Sequence, residues 1–109
     1  RQVRSKYSLK KILDGTQKWP NKPEERDVLY FLAQSFRSQL IKELPESRSK
    51  LSGESMALAF RAKELLIELA EISLEIAQMA ITPEDGADLP NWFVVEAAKD
   101  IPNLLRKRK

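Results

Sequence analysis

Four glutamates in the second half of the chain have a spacing that could bring carboxylates together for metal binding or acid–base chemistry. They are Glu64, Glu68, Glu71 and Glu75, and we call them the acidic stripe. On a helix this spacing keeps all four within about 60° of one another. Carboxylate metal sites in helical bundles also use Glu-x-x-His pairs, however, and the chain has no histidine. We therefore interpret the acidic stripe as a solvated helix face, with a dock for a basic partner as the alternative.

The residue types on which many catalytic sites depend are missing from this chain. Without histidine or cysteine, it cannot form a Ser-His-Asp or Cys-His arrangement or a thiolate metal site. Asp85 and Asp88 could form a carboxylate pair, but the surrounding TPEDGAD is more typical of a helix cap and a turn. We predict that the protein is not an enzyme and that it has no metal and no cofactor.

The remaining chemistry is that of cations, which are concentrated at the two ends of the chain. Residues 1–22 carry seven basic side chains and one acidic one, and residues 103–109 carry four basic side chains. Residues 23–102 carry eight basic and 15 acidic side chains, so the overall charge of +3 hides an acidic middle. A surface selected only for solubility would mix the two signs. Because lysine and arginine release counterions from phosphate backbones, this separation favours a nucleic-acid ligand.

The last seven residues, NLLRKRK, carry the densest positive charge. One or two cations would complement the dipole at a helix C-terminus, and four consecutive ones exceed that need. A solvated tail and contact with an acidic protein or an anionic membrane are the alternatives. Two leucines are a short apolar part for a membrane-bound helix. We therefore favour phosphate-backbone binding.

Basic and aromatic residues also alternate near the start of the chain. The predicted first helix is amphipathic, with its lysines opposite its leucines, and Tyr7 and Trp19 lie among these cations. An aromatic ring there could stack on a base, although a tryptophan beside Pro20 is more typical of a lid over the core. The predicted nucleic-acid contacts are Arg4, Lys10, Lys11, Lys18, Lys22, Arg37, Arg106, Lys107 and Arg108.

Proline and glycine divide the chain into the helices that must position these residues. We expect helices over residues 3–13, 23–44, about 53–81, and from 90 onward with a kink at Pro102. The third is apolar over most of its circumference after residue 64, which is typical of a helix covered on several sides. The predicted fold is all-α, a four-helix-type bundle with a long central third helix.

Length and composition set the remaining expectations. A chain of 109 residues with 42% apolar side chains suits one domain with one core. No apolar run approaches the roughly 18 residues that span a bilayer, so we predict no membrane role. The lack of cysteine fits a reducing cytoplasm. The start at Arg1 rather than at methionine indicates a fragment, a processed product or the ordered part of a longer chain.

In outline, the sequence resembles the small subunits of Cascade-type CRISPR effector complexes and the related C-terminal helical domain of their large subunits. The segments that carry the resemblance are RQVRSKYSLKK, DVLYFLAQSFRSQLIKEL, FRAKELLIELAEISLEIAQMA and LLRKRK. It covers most of the chain and concerns shape and composition. It implies a subunit of an antiviral ribonucleoprotein, present in several copies, that contacts DNA or RNA backbone through lysines and arginines.

These observations predict a non-catalytic helical subunit that binds nucleic-acid backbone without reading sequence, beside other protein subunits or copies of itself. The alternative is a helical adaptor whose acidic stripe or apolar face contacts another protein, in a complex that survives high salt. A helix-turn-helix regulator is disfavoured, because the connector between the second and third predicted helices is too long and polar for its tight turn.

Overall fold

The computed structural model describes residues 7–82 and 89–100, apart from the side chains of Ala98 and Asp100. Five α-helices and two single 3-10 turns make up this part of the chain, and it contains no strand. The all-α prediction is confirmed. The helices are α1 (Leu9–Asp14), α2 (Arg26–Glu43), α3 (Gly53–Ile72), α4 (Leu74–Ile81) and α5 (Asn91–Asp100), and the turns are Pro23–Glu25 and Arg48–Lys50.

Helix α1 is short. Gly15 determines where it ends, and Arg61 determines how it attaches to α3. Gly15 ends it in the left-handed region, with φ of 87°, and its N–H donates to the Ile12 carbonyl at 3.1 Å. Glycine is suited to this conformation because it has no Cβ. The Arg61 guanidinium of α3 donates to the carbonyls of Ile12 and Leu13, both at 3.3 Å. Since these carbonyls have few partners within α1, Arg61 attaches the end of α1 to α3.

Helix α2 supplies one side of the core. Its buried residues Leu29, Leu32, Phe36 and Leu40 recur at helical spacing. The helix ends where Leu44 becomes extended, because the following Pro45 disfavours the helical region for the residue before it.

The loop between α1 and α2 closes over this core. Trp19 is buried, and its ring packs edge-on against Phe36 with 5.7 Å between ring centres. The Trp19 indole Nε1–H donates to the Leu65 carbonyl of α3 at 3.1 Å. This residue therefore connects the loop to both α2 and α3.

The third helix is long, as predicted, but its predicted continuation to residue 81 is wrong, because the helix is interrupted at Ser73. This residue is extended, with φ of −158° and ψ of 117°, and its hydroxyl accepts from the Ile76 N–H at 3.4 Å. The break lets α4 pack against both α2 and α3, which buries Ile76, Ala77, Ala80 and Ile81. A straight helix would have left part of its wide apolar arc uncovered. Two shorter helices thus replace the predicted central one.

Helix α5 matches the fourth predicted helix and packs against α3 through its buried Phe93 and Ala97. The Trp92 indole donates to the Pro45 carbonyl at 2.9 Å, which ties α5 to the end of α2. The expected kink at Pro102 lies outside the described residues. None of the described helices is both long and apolar enough to cross a lipid bilayer.

Candidate functional site

Four of the predicted contacts lie on α1 and the loop after it, and we call them the lysine segment: Lys10, Lys11, Lys18 and Lys22. All four are exposed. None of them takes part in a salt bridge within residues 7–82 and 89–100. The acidic Asp14 lies between them in sequence and is also exposed. The anchoring of α1 by Arg61 and of the loop by Trp19 holds the backbone of this segment against the core.

Several cations in the helical body are paired instead. Arg26 contacts Glu75 at 2.8 Å, and Arg61 contacts Glu64 at 3.0 Å. Arg48 and Lys63 both contact Glu96. The positive charge of these residues is therefore offset locally, whereas that of the lysine segment is not.

Arg37 is a wrong prediction as a nucleic-acid contact, because its side chain is only 7% exposed. It lies one turn after Ala33 and three residues before Leu40, both of which are buried. This spacing puts it on the core side of α2. Charge alone suggested an outward position, and the packing of neighbouring helices over this face decided otherwise.

The other predicted contacts, Arg4, Arg106, Lys107 and Arg108, lie outside the described residues, as do Asp85 and Asp88. The two aromatic residues among the N-terminal cations do not offer a free ring. Trp19 belongs to the core, as its position beside Pro20 indicated. The half-buried Tyr7 donates its hydroxyl proton to the Glu25 carboxylate at 3.1 Å. Desolvation, this hydrogen bond and the charge of Glu25 raise the pKa of Tyr7 above its ordinary value.

A different aromatic residue, Phe31 on α2, is exposed. Its side chain is 68% accessible, and it borders a groove of about 340 Å³ that we call the Phe31 groove. The other lining residues are Leu9 of α1 and Gln34, Ser35, Ser38, Gln39 and Lys42 of α2. The sequence analysis missed this site. The available signal was that Phe31 shares its side of the helix with Gln34 and Ser38 rather than with the buried residues.

A second groove lies between the start of α3 and α5, and we call it the α3–α5 groove. It measures about 230 Å³, and its apolar lining is Leu51, Met56, Ala59, Phe60 and Trp92. Met56 is 43% exposed and Phe60 is 59% exposed. Arg48, Lys63 and Glu96 border it as an ion-paired group, and the Lys63 ammonium lies 5.6 Å from the centre of the Phe60 ring.

The acidic stripe is divided by the break at Ser73, because Glu75 lies on α4 and the other three glutamates on α3. Glu64 and Glu75 each contact an arginine. Within the part of the chain that the structure describes, no three carboxylates are close enough together to hold a metal ion.

Comparison of the chain with protein-family models, curated proteins and solved structures gives no match. The resemblance to CRISPR effector subunits, and the absence of catalytic activity, therefore stay predictions.

Proposed function

We propose that this protein is a non-catalytic helical module that binds the phosphate backbone of nucleic acid through the lysine segment, without reading base sequence. The observation that carries the proposal is that all four lysines are exposed and none is in a salt bridge within the described residues. A larger assembly with other protein subunits or further copies of the chain is the predicted setting.

Unpaired surface lysines suit a polyanion for two physical reasons. No existing ion pair has to be broken before a phosphate can be neutralised. Each neutralised phosphate also releases condensed counterions, which makes binding favourable at low salt and steeply salt-dependent. Lysine is a flexible point charge that carries no base information, so binding of this kind is independent of sequence.

Fluorescence anisotropy with labelled oligonucleotides of several sequences, titrated from about 50 to 200 mM salt, tests this proposal. The test variant replaces Lys18 and Lys22 with glutamine. The matched control replaces Lys50 and Lys99, which are also exposed and in no described salt bridge, so both variants lose the same charge. We expect the slope of log affinity against log salt to fall by about two in the test variant.

The control variant should keep most of the wild-type slope. Equal losses in both variants would mean that only net charge matters and that the lysine segment is not a site. A wild-type protein that binds no oligonucleotide at the lowest salt would refute the proposal.

The α3–α5 groove favours a second function, which is contact with another protein. An exposed apolar patch bordered by polar groups is typical of protein interfaces. The cations at this groove are already paired with Glu96, which makes it a poor phosphate site. Apolar contact is little affected by ionic screening. We expect any self-association through this groove to persist at about 1 M salt.

Sedimentation analysis of the oligomeric state of the wild type and of Phe60→Ser tests this second function. Loss of a high-salt oligomer in the variant supports it. A monomeric wild type at every concentration would exclude copies of this chain as the partner.

A further inference from the structure

The Phe31 groove combines an exposed aromatic ring with amides, hydroxyls and a lysine. Phe31 is the most exposed large apolar side chain among the described residues. A single exposed apolar residue is ordinary on a protein surface. Here, however, the ring borders a groove lined mainly by amides, hydroxyls and a lysine. Leu9 is the other apolar residue of the lining.

The side chains that line the groove are complementary to the parts of a nucleotide. A phenylalanine ring can stack on any base, because every base has a π-face. The hydroxyls of Ser35 and Ser38 can each donate or accept a hydrogen bond, so they tolerate any base edge. The Gln39 amide NH₂ already donates to the Glu43 carboxylate, so this NH₂ group is less available to a ligand.

The groove is also connected to the lysine segment. Leu9 of α1 lines it, and Lys10 is the next residue along the chain, while Lys42 lines the groove itself. Asp27 is exposed one turn before Phe31 on the same helix. Glu43, whose carboxylate accepts from Gln39, adds a second negative charge beside Lys42. A phosphate is favoured next to Lys42 and α1 and disfavoured next to either carboxylate.

We infer that the Phe31 groove binds an unpaired base of a single-stranded nucleic acid, with the base stacked on Phe31 and the adjoining phosphates held by Lys42 and the lysine segment. This inference rests on the proposed function and adds a substrate class to it. Bases within a duplex are stacked on one another, so only a single strand can present a base face to Phe31.

The test compares three labelled probes of equal length: a single strand, the matching duplex, and an abasic strand that keeps the phosphates but has no bases. Anisotropy is measured for the wild type, Phe31→Leu and Phe31→Trp. Val95→Ala is the control, because it shortens an exposed apolar side chain of α5 that lines neither groove. Leucine keeps apolar volume at position 31 but has no aromatic face.

We expect Phe31→Leu to weaken binding of the single strand by about 5- to 100-fold, the range for one stacked base. Phe31→Trp should retain the affinity, and Val95→Ala should behave as the wild type. Neither change at position 31 should alter binding of the duplex or the abasic strand.

Equal binding of single and abasic strands by the wild type, or no effect of Phe31→Leu, overturns the inference. If the Lys18 and Lys22 variant still lowers affinity in that case, the proposed function stands without it. If the wild type binds none of the three probes, both are refuted. Loss of self-association in Phe31→Leu, with unchanged oligonucleotide binding, would instead assign the groove to a protein contact and also overturn the inference.

Discussion

Two phenylalanines, Phe31 of α2 and Phe60 of α3, are the most exposed large apolar side chains in the described structure, and their surroundings differ. Phe31 borders a polar groove next to lysines that have no described salt bridge. Phe60 borders an apolar groove with Met56 and Trp92, where Arg48 and Lys63 are paired with Glu96.

The comparison shows that an exposed ring and a nearby cation do not by themselves indicate a ligand. The cations that line the two grooves differ in pairing: Arg48 and Lys63 share the Glu96 carboxylate, whereas Lys42 is in no described salt bridge. An unpaired lysine can neutralise a phosphate directly, whereas a paired one must first give up its partner. The proposed ligands are therefore nucleic acid on the Phe31 side of the molecule and a protein on the Phe60 side.

The largest expected effect concerns the two tryptophans beneath these regions. Trp19 is 3% exposed and belongs to the loop of the lysine segment, whereas Trp92 is half-buried in the α3–α5 groove. We expect Trp19→Ala to lower the free energy of unfolding by about 3–5 kcal/mol, because it leaves a cavity and removes the hydrogen bond to Leu65.

Trp92→Ala should lower the free energy of unfolding by a smaller amount, because the Trp92 ring is already partly in contact with water. Urea unfolding followed by circular dichroism measures both variants. A larger loss for Trp92→Ala would mean that the lysine segment is only loosely attached to the core, which contradicts the anchoring described for Trp19.

A medium effect is expected at the two glycines that flank the compared regions. Gly15→Ala places a Cβ on a residue with φ of 87° and 3.4 Å from the Arg61 guanidinium. We expect the free energy of unfolding to fall by about 1–2 kcal/mol, because alanine is disfavoured in the left-handed conformation. Gly53→Ala at the start of α3 is the control, since its Cβ meets nothing within 4 Å.

Alanine has a higher helix propensity than glycine, so the control should be neutral or slightly stabilising. Thermal unfolding of both variants gives the difference. The oligonucleotide affinity of Gly15→Ala then shows whether a displaced α1 weakens the lysine segment. Equal stability of the two variants would argue against the strained turn that ends α1.

Glu96→Gln should have the smallest effect on stability of these changes. It is also the most direct test of the comparison between the Phe31 and Phe60 regions. It removes the shared partner of Arg48 and Lys63 while keeping a side chain of similar size. The cost should be about 1 kcal/mol, because the Arg48 side chain is 64% exposed, whereas Glu96 at 23% and Lys63 at 19% are largely shielded from water.

The same change should make the α3–α5 groove able to bind phosphate. We expect a steeper salt dependence of oligonucleotide binding than in the wild type, measured by anisotropy. Glu46→Gln, an exposed glutamate outside the described salt bridges, gives the same change in net charge. An identical response in both variants would show that local pairing does not control which surface binds.

Much of the architecture could be predicted because it depends on local rules. Pro45 and Gly15 end helices for backbone reasons that act on the residue itself or its neighbour. The helical spacing of Leu29, Phe36 and Leu40 predicts the buried face of α2. The exposure of Lys10, Lys11, Lys18 and Lys22 follows from the cost of burying a charge.

Other features were decided only by contacts between segments that are distant in sequence. The chain from residue 53 to 81 has no proline and only the initial glycine. The local signal for a break at Ser73 is its capping hydroxyl, and one serine is too common within helices to predict a break. Packing of α4 against both α2 and α3 makes the break favourable. Arg37 is buried because other helices cover its side of α2, and Glu96 is paired because α5 lies beside Arg48 and Lys63.

The sequence by itself therefore determined the helical class, most helix ends and the separation of charge along the chain, because backbone sterics and hydrophobic periodicity act over a few residues. The tertiary structure decided which cations are neutralised and which aromatic rings reach the surface. Those outcomes depend on distances between residues such as Trp19 and Leu65, which are 46 positions apart. Pairing and burial of that kind arise only when the helices pack, and they distinguish the Phe31 surface from the Phe60 surface.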